Sequence, residues 1–229
     1  FKRSREFFQM NEQMEKLPGC PKKEIMIKNI TLRRPDCSIL YKIPELNVQG
    51  TGLVLIKGEN GCGKSTLFNI FSGVLSEEQV EIGKDGDFQI SSEYRGDLAY
   101  LFYPNFIFPG TVKENILCGR KFVPEVYHEI EKILHLPPAN KEVITKPENL
   151  SLGEKQKIFL ARILVGDHQF LLLDEPGSNL DDQTEKNFAR ELEYRKKEKL
   201  IMIISHNKIY DEIADQIYII QDGVMQRKR

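Results

Sequence analysis

The sequence predicts an α/β fold with an inserted helical lobe, and three observations lead there. Uninterrupted apolar runs at residues 53–56, 170–173 and 200–204 have the pattern of strands buried on both faces of a parallel sheet. Each run is followed by a stretch with helical spacing, at residues 64–75, 182–198 and 208–214. Between about residues 105 and 166 the helical pattern takes over, including residues 125–136 and 154–165, and forms the inserted lobe.

The remaining segments follow in chain order. Phe7, Met10, Met14 and Leu17 fall at helical spacing ahead of the breakers Pro18-Gly19 and Pro21. Residues 1–23 therefore read as a linker, either a short amphipathic helix or a surface segment. From Glu24 the pattern changes to alternation, with Ile25, Ile27 and Ile30 on the buried side of a strand. The main domain is expected to span residues 24–223 and to leave 224–229 as a basic tail. The first residue is Phe rather than Met, which suggests a piece of a longer chain, and Phe1-Lys2-Arg3-Ser4-Arg5 lacks the apolar continuation of a signal peptide.

Composition narrows the function classes. Hydrophobic residues make up 40% and charged residues 29%, an ordinary globular balance. Thirty-three Lys and Arg against 34 Asp and Glu give a net charge of -1, so no nucleic-acid partner is expected. Cys20, Cys37, Cys62 and Cys118 are scattered without metal-ligand spacing and read as reduced thiols. No apolar run approaches the roughly 20 residues that cross a bilayer.

The chemistry concentrates at three strand ends. Gly58-Glu59-Asn60-Gly61-Cys62-Gly63-Lys64-Ser65, continuing into Thr66, fits the phosphate-loop pattern G-x-x-x-x-G-K-[ST]. With Gly near 7% of residues, a chance match in a chain this long is on the order of one per cent. The glycines let the loop wrap with its amide hydrogens inward, and the helix that follows points its N-terminal amides at an anion. Lys64 would reach the β- and γ-phosphates of ATP, and the Ser65 hydroxyl would bind Mg²⁺. Asp174 and Glu175 end the second apolar run, at the sheet edge where open α/β sheets hold ligands. Neighbouring carboxylates on a strand face opposite ways, so Asp174 suits Mg²⁺ and Glu175 suits the attacking water. His206 follows the third run and would donate to the γ-phosphate.

These motifs occur in the order of the ABC ATPases, together with Leu150-Ser151-Leu152-Gly153-Glu154 and Ser178-Asn179-Leu180-Asp181. The resemblance covers roughly residues 24–223. It implies a phosphate-loop core of the ABC ATPase type, with a β subdomain and an inserted helical subdomain. Residues 150–154 resemble the family's signature motif, so Ser151 and Gly153 would bind the ATP of a second, head-to-tail ABC ATPase domain. Phe106-Ile107-Phe108-Pro109-Gly110-Thr111-Val112-Lys113-Glu114-Asn115-Ile116 is similar to the pattern of exporters. The implied function is the ATP-hydrolysing motor of an exporter at the cytoplasmic face of a membrane, joined to a transmembrane domain in the same chain.

Four departures from the family pattern stand out. Tyr103 falls where the family has the glutamine that contacts Mg²⁺ and water, and a phenol is a different partner from an amide. Arg34 falls near the aromatic residue that stacks on adenine, with Tyr41 as the competing candidate. The signature carries Leu152 and Glu154 in place of Gly and Gln, and residues 143–147 lack the usual Gly-Glu. Two competing readings are a non-hydrolysing half of a heterodimer, favoured by Tyr103, and an ABC ATPase that does not serve transport.

Overall fold

The computed structural model describes residues 24–34, 37–74, 80–90, 94, 96–101, 106–146 and 148–229. The expected linker at 1–23 and Tyr103 lie outside them. Among the described residues, eleven strands are distributed over two sheets. The large sheet has nine: β1 (Glu24–Arg33), β2 (Ile39–Gln49), β3 (Gly52–Gly58), β4 (Val80–Ile90), β5 (Leu98–Leu101), β8 (Phe170–Asp174), β9 (Leu200–Ile204), β10 (Gln216–Gln221) and β11 (Val224–Arg227), in the order β4-β1-β2-β11-β10-β3-β9-β8-β5. β6 (Gly110–Thr111) and β7 (Glu142–Val143) form a small antiparallel pair. The helices are α1 (Lys64–Phe71), α2 (Val112–Leu117), α3 (Pro124–Leu134), α4 (Leu152–Val165), α5 (Asp182–Arg195) and α6 (Ile209–Ile213). None of them is long and apolar enough to cross a membrane.

The three apolar runs are the parallel strands β3, β9 and β8, side by side at the centre. Alternate residues face opposite ways, as the two-residue period requires. Leu53, Leu55, Leu171, Leu173, Ile201 and Ile203 pack under α2–α6. Val54, Ile56, Phe170, Leu172, Met202 and Ile204 pack against Leu67, Phe68 and Phe71 of α1 and against β1 and β2. Covering both faces explains why these runs lack polar residues.

The expected β subdomain is continuous with this sheet. Antiparallel β1, β2 and β4 reach the parallel strands through β11, which pairs with β2 at Val224 and Lys42 and forms a hairpin with β10. Asp222 and Gly223, at φ 50° and 72°, make the turn of that hairpin, as an Asp-Gly pair favours. Residues 224–227 of the expected basic tail are therefore a strand, with Met225 buried beneath it. In β1 the buried set shifts from Ile25 and Ile27 to Ile30 and Leu32, while β2 shifts from Tyr41 and Ile43 to Leu46 and Val48. Both changes fall at the facing positions Asn29 and Pro44, where Asn29 takes φ 51° and proline cannot donate to a ladder.

Two helix starts in the inserted lobe carry reciprocal capping boxes, Thr111 with Glu114 and Ser151 with Glu154. The Asn115 side chain, fully buried, accepts from the Phe108 amide at 3.0 Å and donates to the Phe108 and Thr111 carbonyls. Arg162 of α4 donates to the Phe106 and Asn115 carbonyls. The segment ahead of α2 is thus held by side chains that saturate its backbone. Helix α1 is shorter than expected because Gly73 turns to φ 72° just past its end.

Phe188 is fully buried on the helical side of the sheet, so Phe188→Ala should lower the unfolding free energy by about 3–5 kcal/mol. Thr111→Ala, which removes only a cap, should cost about 1 kcal/mol. Urea denaturation of both variants checks the contrast.

Candidate functional site

The register of β3, β9 and β8 places three residues in one row: Ile56 pairs with Ile204, and Ile204 with Asp174. Beyond this row β3 runs into the phosphate loop and β8 into Glu175. A cleft of about 490 Å³ opens there. The loop lines one wall with Asn60, Gly61, Gly63, Lys64, Ser65 and Thr66, and Asp174, Glu175 and Ile204 line the other. Arg34 and Leu40 also line the cleft. Gly58, Glu59 and Cys62 instead line a neighbouring groove beside the β10–β11 turn.

Gly63 takes φ 100°, and a methyl group on it would come within 3.1 Å of Leu40 and 3.2 Å of Tyr41. The backbone here turns as only glycine does without strain, and it lies directly on the β2 side chains. Lys64 is buried, and its ammonium donates to the Gly58 carbonyl at 2.7 Å and the Glu59 carbonyl at 2.8 Å. These bonds fold the side chain back along its own loop, toward the space the loop encloses.

Asp174 shares the parity of Phe170 and Leu172 and so faces the α1 side, where the Ser65 hydroxyl lies beside its carboxylate. Burial raises the Asp174 pKa, and Ser65 and Lys64 offset part of that rise. Glu175 begins the turn out of the sheet at φ 46°, its amide still donating to the Ile204 carbonyl at 2.9 Å. Burial also raises the Glu175 pKa, with Asp174 adding to it and His206, Lys64 and Ser205 opposing it. His206 Nε2 stands 3.8 Å from Glu175 Oε1. A hydroxyl beside one carboxylate, open to a cleft, is an oxygen donor set that Mg²⁺ accepts when phosphate and water complete its shell.

Tyr41 is fully buried and its hydroxyl donates to the Gly63 carbonyl, so it supports the loop from below and has no free ring face for a base. This removes Tyr41 as the alternative to Arg34, which is exposed and donates to Ser38 Oγ and the Ile39 carbonyl. Ser151 and Gly153 do not line the cleft of their own chain. Ser151 Oγ accepts from the Glu154 amide at 3.1 Å, while the Glu154 carboxylate accepts from the Ser151 amide and pairs with Lys141 at 2.6 Å. The substitution at Glu154 thus serves as the cap of α4.

Residues not singled out from the sequence hold the turn after Glu175. Gln156 of α4, buried, donates to the Pro176 carbonyl at 2.8 Å. Lys157 pairs with Asp181, whose carboxylate also caps α5 through Thr184 and is thereby held well below the usual carboxylate range. Glu185 of α5 is buried beside Gly177 and accepts from Asn207. Only the Asp181-x-x-Thr184 spacing announces itself locally as a helix cap.

Comparison with known proteins gives a consistent result. A family model described as ABC transporter matches residues 41–178. A probable ABC transporter ATP-binding/permease protein of Haemophilus influenzae is 32% identical over 213 residues, 88% of this chain and 38% of that protein. The ABC multidrug transporter atrD of Emericella nidulans is 31% identical over 229 residues, 93% of this chain and 17% of its own length. An ATP-dependent lipid A-core flippase of Vibrio vulnificus is 31% identical over 228 residues, 89% of this chain and 37% of the flippase. The chain therefore spans well under half the length of these relatives.

A carboxyl whose pKa is raised by folding binds protons more readily in the folded state, so stability falls as pH rises past the ordinary carboxylate range through the raised value. Glu175→Gln, which removes that titration, should melt at a higher temperature than the wild type at neutral pH. The gap should close as pH is lowered to where the wild-type carboxyl is protonated. Thermal melts without nucleotide between acid and neutral pH check this.

Proposed function

The chain belongs to the ABC transporter family, and from that premise we propose that it is the motor domain of an exporter, binding and hydrolysing ATP with Mg²⁺. The observation that carries this reading is the convergence of Lys64, Ser65, Asp174 and Glu175 on one cleft at the end of the central strands. Each has a distinct task in phosphoryl transfer.

Lys64 exchanges its bonds to the Gly58 and Glu59 carbonyls for bonds to phosphate oxygens, so its charge is delivered without a new desolvation penalty. The amides of residues 61–66 supply the rest of the phosphate cradle. Ser65 and Asp174 would hold Mg²⁺, which would neutralise charge on the phosphates when bound. Glu175, with a raised pKa, orients the attacking water and takes its proton more readily than an ordinary carboxylate. His206 lies close enough to reach the same region and donates to the transferred phosphoryl group. Arg34 stacks on the base.

Ser151 and Gly153 lie outside the chain's own cleft and serve the nucleotide of a second ABC ATPase domain arranged head to tail. Closing two domains around ATP and releasing them after hydrolysis provides two states whose balance the nucleotide sets. A transmembrane partner would convert that difference into transport at the cytoplasmic face of a membrane, and the ATP-binding/permease names among the relatives support such a partner.

Glu175→Gln should bind ATP and lower its turnover by about 10²-fold or more, the worth of one positioned base. Phosphate release is to be followed at high protein concentration with Mg²⁺ and with the membrane partner, because a second ABC ATPase domain completes the site. A wild type no faster than Glu175→Gln contradicts the hydrolysis reading.

A further inference from the structure

The turn that follows Glu175 and the turn that follows His206 leave adjacent strands, and one buried side chain touches both. Glu185, one turn into α5, is only 8% exposed. Its Oε2 accepts from Asn207 Nδ2 at 2.8 Å, and Asn207 directly follows His206. Its Oε1 lies so close to Gly177, two residues after Glu175, that a Cβ there would stand 1.8 Å from it. A side chain at 177 and a carboxylate at 185 cannot share this space. The Asn207 amide also donates to Ser205 Oγ and its Oδ1 accepts from the Ile209 amide, so Asn207 is fixed within the second turn. Tyr210 of α6 is fully buried beside the same carboxylate and has no hydrogen-bond partner of ordinary geometry.

We propose that Glu185 is a positioning residue that locks the Glu175 turn to the His206 turn, so that the two side chains keep one relative placement. Glu185 touches neither the cleft nor the nucleotide wall, and it acts through Gly177 and Asn207. Asn207 contributes the other half of the lock. A buried carboxylate is costly to keep unless its hydrogen bonds are made, which favours the locked arrangement over a loose one. The kinetic consequence rests on the hydrolysis reading above, whereas the lock itself does not.

Both levels are tested with the full chain carrying Glu185→Ala, Glu185→Gln, Asn207→Ala and the double variant Glu185→Ala/Asn207→Ala. Hydrogen–deuterium exchange reads the lock. In Glu185→Ala the amides of 175–181 and 205–210 should exchange faster together while those of 58–66 are unchanged. Acceleration of one segment alone, or of neither, overturns the proposal whether or not the protein hydrolyses ATP. For activity, Glu185→Ala should lower kcat about 10-fold to 100-fold with KM and ATP affinity little changed, the cost of misplaced reacting groups. Glu185→Gln keeps an acceptor for Asn207 at the same length and should recover most of that loss. The double variant should be no worse than the poorer single variant, because both cut one contact. Unchanged kcat, or losses that multiply in the double variant, overturn it. A wild type without turnover contradicts the hydrolysis reading and leaves the exchange result to decide the lock.

Discussion

β3, β9 and β8 lie in parallel register with both faces covered, and everything in the cleft takes its place from that pairing. Because Ile56, Ile204 and Asp174 stand in one row, the three turns that follow must leave the sheet at the same edge. Burial on both faces makes a slip of register costly, since a shift by one residue would send every side chain to the opposite face. The same parity separates the carboxylates. Asp174 falls on the α1 side beside Ser65, and Glu175 leaves the ladder at a positive φ toward His206. Such a backbone costs energy at a non-glycine residue and is kept where the surroundings enforce it.

The enforcement comes from both sides of the turn. Gln156 holds the Pro176 carbonyl from α4, and Lys157 holds Asp181 from the same helix. Glu185 of α5 lies against Gly177 and accepts a hydrogen bond from Asn207 of the β9 turn. The helix that begins at Ser151 is therefore tied, through its own residues, to the segment that carries Glu175. Gly153 adds to this close fit, since a Cβ on it would stand 2.8 Å from the Asn179 carbonyl.

The sequence made the centre of the molecule readable and its periphery much less so. Uninterrupted apolar runs revealed β3, β8 and β9 because strands covered on both faces have no reason to alternate. The phosphate loop was readable because it requires glycine at fixed places. Tyr41 competes with Arg34 as a base-stacking candidate in the sequence alone because its orientation depends on where β2 reverses its buried face, opposite Asn29, and that needs the partner strand. Residues 224–227 looked like a basic tail because Arg227, Lys228 and Arg229 dominate the composition, although Asp222-Gly223 already marked a hairpin. Glu185 sits in a helix rich in charged residues, and only the fold shows that this one carboxylate turns inward. Glu154 stands in the sequence only as a departure from the signature, and its pairing with Lys141 and Ser151 gives it a capping task.

The claim on which the rest stands is that the cleft between the phosphate loop and Asp174 is a site for Mg²⁺ and ATP. Equilibrium titration of ATP into the wild type and Lys64→Ala, with Mg²⁺ and with a chelator, tests it most directly. The account predicts saturable binding to the wild type that is strengthened by Mg²⁺, and its loss in a Lys64→Ala protein that still melts cooperatively. Equal affinity for the two proteins, with no effect of Mg²⁺ on either, would contradict it.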